Sequence, residues 1–373
     1  MQIALINNAI MYMFSRIEYR LGGQVMETLN YPGQTTSMLG YLIYPDDFNS
    51  SAGLKQCWSK DTSANADSEE FGASAAAPAA GYRPTRNVNF NQGFALRRKL
   101  LMSAEPPGHF SFIIPFSHVF GFSEYDKVLY NMEHILKFTR GQDNLSIHRA
   151  YDVHAGKILL ADIRWVIPQV MPSPVKRTQL LELVKNKTPI PLHFCAKSDD
   201  HTTVNENQRS YKWMLSSSAG VEKPRWIILA FQTDKIRTQE QNPAIFDHVN
   251  LSSVCVKLNG DRYPSDNIDI DFTKNDYVKL YDMAENFKKD YYGINNLIGG
   301  TQIDLLSYKN LYPIIVFDVR HQSEQVRSNV MSIELDLKFE QPIPAETHLY
   351  TIIISDRLFR LTSDGQTPRM ETY

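Results

Sequence analysis

The sequence predicts an all-β protein made of two antiparallel β-sandwiches in tandem, with a few short helices. Three observations carry that expectation. Apolar and polar residues alternate with period two in many short segments. The repeated crossover helices that a parallel α/β sheet requires are missing. A block of the first half also recurs in the second.

The apolar start, Ile3 to Phe14, leads into Ile17, Tyr19 and Leu21, which alternate with Arg16, Glu18 and Arg20. Tyr12 and Phe14 lie in the opposite phase, so one extra residue near Ser15 predicts a bulge or bend. Gly22-Gly23 then supplies a hairpin turn into Val25 to Leu29, because both positions of such a turn favour residues tolerant of positive φ. From Asp46 to about Gln92 the chain becomes polar and small, including Ala73 to Ala80, and reads as a long loop inserted in the first sandwich. Strands are expected at Phe110–Pro115, Leu129–Phe138 and Ile158–Ile167. The Pro-rich run Met171-Pro172-Ser173-Pro174 marks the boundary near the midpoint, followed by a short helix over Arg177–Lys185.

Beyond it, strands are expected at Leu192–Ala196, Trp226–Gln232, Val249–Leu258, Ile268–Phe272, Pro313–Val319, Met331–Glu340 and Leu349–Ser355. The clearest is Met331–Glu340, where Met331, Ile333, Leu335, Leu337 and Phe339 mark the buried face. One long helix interrupts them: Tyr277, Leu280, Tyr281, Ala284, Phe287 and Tyr291 keep helical spacing, with Asn275 expected as the N-cap and Gly293 as the stop. It should cross a sandwich mouth or fill a strand-to-strand excursion. The implied organisation is a first sandwich over 1–172, a linker with helix over 173–186, a second sandwich over 187–361 and a tail over 362–373.

Shifting the chain by 201 residues lays Phe110–Phe138 over Leu311–Phe339, so that Ile113, Ile114, Phe116, Glu133, Leu136, Lys137 and Phe138 meet identical residues. The order of segments repeats as well, since each half ends on a long apolar strand, Ile158–Ile167 or Leu349–Leu358.

Lys plus Arg number 39 and Asp plus Glu 41, a formal charge of -2, so no overall basic field is present to hold nucleic acid, which could touch only a local patch. Cys57, Cys195 and Cys255 are too few and too scattered for a disulfide framework or a structural zinc site, and fit a reducing compartment. No apolar run approaches a membrane span, and the apolar start lacks a basic leader, so the chain reads as soluble and unprocessed.

A search for chemistry assigns no catalytic, cofactor-binding or metal-ligating residue. His118, His134, His148 and His154 are close in sequence, but no local ligand pair joins them, and strand-face or loop histidines are the commoner outcome. Ser216 to Gly220 has turn composition rather than that of a nucleophile elbow. His193 and Cys195 share a strand face without an evident orienting Asn or Asp, and a core cysteine is the simpler reading. Gly299-Gly300 is an isolated turn, Asp269-Ile270-Asp271 a solvated strand face, and Arg97-Arg98-Lys99 a solvated loop end rather than a contact to a genome or a neighbouring subunit.

Against this background several segments acquire meaning together. Asn7-Asn8-Ala9-Ile10 with Phe14 to Tyr19, and Gly33-Gln34-Thr35-Thr36-Ser37-Met38-Leu39-Gly40-Tyr41, resemble two stretches of the double jelly-roll major capsid proteins of Polinton-like elements and adintovirus-type DNA viruses. Pro115 to Phe122, Pro224 to Ile228 with Phe231-Gln232-Thr233, Asn259 to Pro264, and Leu311 to Asp318 are similar to later segments of that group, in the same order. The resemblance runs from about residue 3 to residue 358. It implies a non-enzymatic structural protein in which homotrimers form pseudo-hexagonal capsomers of an icosahedral virion, assembled in the host cell beside a single jelly-roll minor (penton) protein. It differs at the start: the family's Asn-Asn stretch follows further strands, whereas Met1 stands almost directly before Asn7, so N-terminal strands of the first jelly roll are expected to be lacking. A capsid-derived host protein that no longer assembles, and a jelly-roll ligand-binding module, are the alternatives.

Overall fold

The computed structural model describes residues 3–65, 87, 89–127, 129, 131–215, 223–294, 301–322, 332–363 and 368–372. In chain order these form β1 (Ile3–Leu5), α1 (Ala9–Tyr12), β2 (Phe14–Leu21), β3 (Gln24–Leu29), α2 (Pro32–Ile43), α3 (Gln92–Met102), β4 (His134–Arg140), β5 (Ile147–Arg149) and α4 (Pro174–Lys185). The second half adds β6 (Ile190–Thr203), β7 (Ser210–Leu215), β8 (Lys223–Thr233), β9 (Leu251–Leu258), β10 (Asp261–Tyr263), α5 (Val278–Tyr292), α6 (Leu305–Leu311), β11 (Ile315–Asp318), β12 (Ile333–Phe339), β13 (Thr347–Ser363) and β14 (Pro368–Thr372).

All strand pairs are antiparallel. In the second half one sheet has the order β6-β13-β8-β11, extended by β14 on β13, and the other has the order β10-β9-β12-β7. Successive strands therefore step between two sheets: β6, β8, β11 and β13 in one, β7, β9, β10 and β12 in the other. Eight strands wound in this way make a jelly roll. Ile333, Leu335, Leu337 and Phe339 of β12 are buried, as their alternation requires, and the Phe339 ring lies 5.8 Å from Phe231 of β8 across the sandwich core.

The first half repeats part of that plan. Its sheet has the order β3-β2-β4, matching β10-β9-β12. β2 and β3 are joined through Gly22 and Gly23, at φ 55° and 85°, and β9 and β10 through Asn259 and Gly260, at φ 50° and 95°. Both turns have two left-handed residues, the geometry that suits the twist of a two-residue hairpin. Each hairpin leads into a helix, α2 or α5. The bulge expected near Ser15 is present, since the β2–β4 register shifts between Phe14 and Arg16.

Several expectations are corrected. Phe110–Pro115 and Ile158–Ile167 form no strand, and Ile268–Phe272 makes only isolated bridges between Ser253 and Asp269 and between Asp271 and Asp276. The sequence pattern is suitable in each, but an apolar run becomes a strand only where a neighbour completes its hydrogen bonds. β13 has β6 on one edge and β8 on the other, whereas Ile158–Ile167 has neither. Gly33–Tyr41 falls in α2, with every residue buried, and α3 begins where the stretch read as a loop ends. Asn275 is not the N-cap of α5; that position falls to Tyr277, whose side chain makes no capping hydrogen bond, while Gly293 ends the helix in the left-handed conformation as expected. Ala73 to Ala80, Ser216 to Gly220 and Gly299-Gly300 lie outside the described residues.

Packing does not respect the midpoint. Met38, Tyr41 and Trp58 from the first half belong to the same apolar cluster as Phe246, Tyr312 and Ile354, while Leu192, Phe194 and Phe359 from the second half join Leu5, Ile17 and Phe120. α5 lies over Trp226, with the Phe287 and Tyr291 rings 5.8 and 5.3 Å from it. Truncating Leu335, which is fully buried, to alanine should lower stability by about 2–5 kcal/mol, whereas Leu306→Ala on an exposed position should stay within about 0.5 kcal/mol. Denaturant titration of the two variants checks the contrast.

Candidate functional site

The polar residues singled out in the N-terminal segments converge on a buried seam between the halves. Asn7 Nδ2 donates to the Tyr41 hydroxyl at 2.8 Å, and Tyr41 in turn donates to the Ala244 carbonyl at 3.0 Å. Asn8, held at φ 61°, donates to Thr36 and Ser37 of α2 at 2.7 and 3.0 Å. Tyr12 reaches the Pro243 carbonyl at 2.6 Å. The residues that looked like a family signature are thus the ones that fasten the start of the chain to the middle of the second half.

Deeper in the seam, Arg97 and Asp61 form an ion pair at 2.7 Å with both side chains essentially inaccessible. Arg97 Nε also donates to the Leu5 carbonyl at 2.8 Å, and another guanidinium nitrogen donates to the Ser59 carbonyl. Asp61 accepts further bonds from Asn91 at 2.9 Å and Asn242 at 3.0 Å, and its carbonyl accepts from the Tyr312 hydroxyl at 2.7 Å. Burial opposes the charge on Arg97, but the adjacent Asp61 carboxylate more than offsets it and holds the guanidinium above its ordinary pKa. The expectation that Arg97-Arg98-Lys99 is a solvated loop end is therefore wrong for Arg97, which points from α3 into the protein interior and cannot reach an outside partner.

Two more carboxylates stitch the halves. Glu27 accepts from the backbone N–H groups of Gly121, Phe122 and Lys197 at 3.0, 2.7 and 2.8 Å. Burial still pushes its carboxyl upward, with those bonds and the Lys197 ammonium pulling back, while burial pushes Lys197 down. At Gly121 the chains approach so closely that a Cβ would lie 1.7 Å from the Cys195 carbonyl oxygen, leaving room for glycine alone. Asp199 accepts from the Asn30 and Tyr31 N–H groups at 2.8 and 2.7 Å and from the Thr35 hydroxyl at 3.0 Å.

The candidate chemical residues are dispersed. His118 contacts Gln56, His134 contacts Tyr19, His148 contacts the Gln241 carbonyl, and His154 is exposed. Among the described residues no group of three or more His, Cys, Asp and Glu side chains is arranged to hold a metal ion. Asp271 is occupied by Thr273 and Lys274 in a local turn. His193 and Cys195 do have an acidic neighbour that sequence spacing could not show: Asp356 on the paired strand β13 lies 3.2 Å from His193 Nε2 and 3.8 Å from Cys195 Sγ. Burial raises the thiol of Cys195, with Arg225 only partly countering it, and pushes Cys57 up to about 11, so neither is poised as a thiolate. An open cleft of about 300 Å³ beside Asp247, His248 and Lys309 gathers no convergent set of reactive groups. Among the described residues no helix is long and apolar enough to cross a membrane.

A complete jelly roll, fused through a polar seam to a second sheet of the same winding, defines a protein of the double jelly-roll class. The chain belongs to the double jelly roll-like domain family, whose pattern it matches over residues 83–359. No curated protein matches it in sequence. Among solved structures it is similar to a chain of the Sputnik virophage determined by cryo-EM, with TM-score 0.51 and 11% identity over 99% of this chain and 76% of that one. It is also similar to the mavirus major capsid protein (TM-score 0.42, 12% identity, 100% of this chain and 79% of that one) and to the Faustovirus major capsid protein (0.49, 8%, 97% and 73%). At 11% identity the Sputnik likeness concerns the fold alone.

Replacing Arg97 by methionine strands a buried carboxylate and should cost about 3–5 kcal/mol, whereas Arg97→Met combined with Asp61→Asn should recover part of that loss; urea titration of both variants decides it. A second test concerns pH. Burial lowers His118 and His201 to about 4 from an ordinary 6.5. Between those values the unfolded chain binds more protons than the folded one, so stability falls as pH drops through that window. The urea midpoint should decrease from pH 7 to pH 5, and less so in His201→Gln.

Proposed function

We propose that this chain is a major capsid protein of a Polinton-like or adintovirus-type DNA virus, or of an endogenous element derived from one. Its work is assembly: three copies form a pseudo-hexagonal capsomer, capsomers tile an icosahedral virion shell, and a single jelly-roll penton protein closes the vertices. The observation that carries this reading is the repeat of β9-β10-α5-β12 in β2-β3-α2-β4, because two similar sandwiches per chain give a near-sixfold outline from three chains. The ordered motifs from Asn7 to Asp318 support the narrower virus group, and the Sputnik likeness supports the fold on which it rests.

The same reading divides the chain at the linker of residues 173–186, with the first jelly roll before it and the second over 187–361. The seam then has a mechanical purpose. Asp61, Arg97, Glu27 and Asp199 set the angle between the two sandwiches, and a capsomer closes only if that angle is the same in every copy. Light scattering of the purified chain should give a mass near three times 42.8 kDa, and images of the same peak should show a pseudo-hexagonal outline. A well-folded monomer would overturn the assembling role and leave a capsid-derived protein or a ligand-binding jelly roll.

A further inference from the structure

β6 and β13 turn one face toward the first half. In their register His348 lies opposite Thr203, Tyr350 opposite His201 and Ile352 opposite Asp199, so these six side chains share that face. The junction between β3 and α2 sits on it. Asp199 holds the Asn30 and Tyr31 N–H groups and the Thr35 hydroxyl, and the Tyr31 ring lies 4.8 Å from the His201 ring and 5.5 Å from the Tyr350 ring. Beside this junction His201 Nε2 and His348 Nδ1 are 3.0 Å apart, with ring centroids separated by 5.1 Å and planes inclined by 24°. The rings therefore meet end to end, one donating its N–H to the bare nitrogen of the other. The Thr203 hydroxyl lies 3.3 Å from the same His348 nitrogen. His348 is 7% exposed, and among the described residues its outer nitrogen, Nε2, has no hydrogen-bond partner.

We propose that the His201–His348 pair is an acid-operated latch, which on taking up protons releases residues 30–35 of the first half from the β6–β13 face while the second jelly roll stays folded. The bond between the rings sets a limit. One added proton can sit on an outer nitrogen and leave that bond intact, but a second puts N–H on both inner nitrogens, which cannot both donate across 3.0 Å. The surroundings resist even the first. Burial lowers both imidazoles, His201 to about 4; a charged His348 opposes His201, and the Arg237 guanidinium opposes His348. Asp200, and Glu346 at 4.0 Å from His348 Nε2, pull the other way and fall short. Tyr31 and Tyr350 stay neutral, since burial raises their hydroxyls. Tyr31 covers His201, so a charged imidazole gains water only where the junction lifts. Opening therefore takes up protons, and it becomes easier as pH falls from 6.5 toward 4. Asp199 acts in the opposite sense, because burial raises its carboxyl and acid favours the form in which it is buried. The latch is a property of the single chain and does not rest on the capsid reading.

The test is amide hydrogen exchange of the full chain at pH 7 and pH 5, read by mass spectrometry and corrected for intrinsic rates. Protection of residues 30–35 should fall at least about tenfold between the two, and at pH 5 this segment should exchange at least about tenfold faster than β12. The variant carrying both His201→Gln and His348→Gln keeps Asp199 and replaces the ring pair by two amides; in it the fall should shrink to within about threefold. If that variant lacks wild-type circular dichroism, His201→Gln alone must reduce the fall by at least about threefold. Three results would overturn the proposal. Protection at 30–35 equal to that of β12 means that the segment opens only when the whole fold does. A fall as large in the variants as in wild type assigns it to other groups, and no fall in wild type leaves the pair without effect.

Discussion

Burying an arginine with one aspartate is expensive unless every remaining donor and acceptor is met, and Arg97 and Asp61 are met by groups from five separate parts of the chain. Leu5, Ser59, Asn91, Asn242 and Tyr312 must all arrive for the pair to be tolerated. That requirement places α3, the first strand, the end of α6 and the loop after β8 relative to one another. Apolar packing alone would allow these pieces to slide, because cores accept many arrangements of similar volume. The ion pair and its companions admit one.

Much of the architecture was legible beforehand, and for a common reason. Where burial has a simple period, as in β12 or α5, the sequence shows it, and a one-residue slip such as the bulge at Ser15 is visible as a change of phase. What escaped notice depended on partners distant in sequence. Arg97 looks like any basic residue until Asp61 is placed beside it, and Asp356 is 161 residues from Cys195. α2 was hidden because it is buried on all sides, which removes the amphipathic stripe by which surface helices are recognised.

The two halves also show how little of a sandwich is written into any one strand. Ile158–Ile167 and Leu349–Leu358 have comparable composition, but only the second has strands on both sides, and only the second is a strand. Pairing is a property of the sheet. The first-half sheet leans on Leu192, Phe194 and Phe359 of the second half for part of its apolar cover.

The exchange of core residues across the midpoint has a consequence for the order in which the chain is made. Tyr41 waits for Ala244, 203 residues later, and Tyr12 waits for Pro243, 231 residues later. At ribosomal speeds of about 5–20 residues per second, the N-terminal segment spends roughly 10–40 s without its partners. The second jelly roll, whose strands lie within one continuous stretch, emerges after that segment and must receive it as it closes. The first half therefore cannot complete its packing until the second has been made.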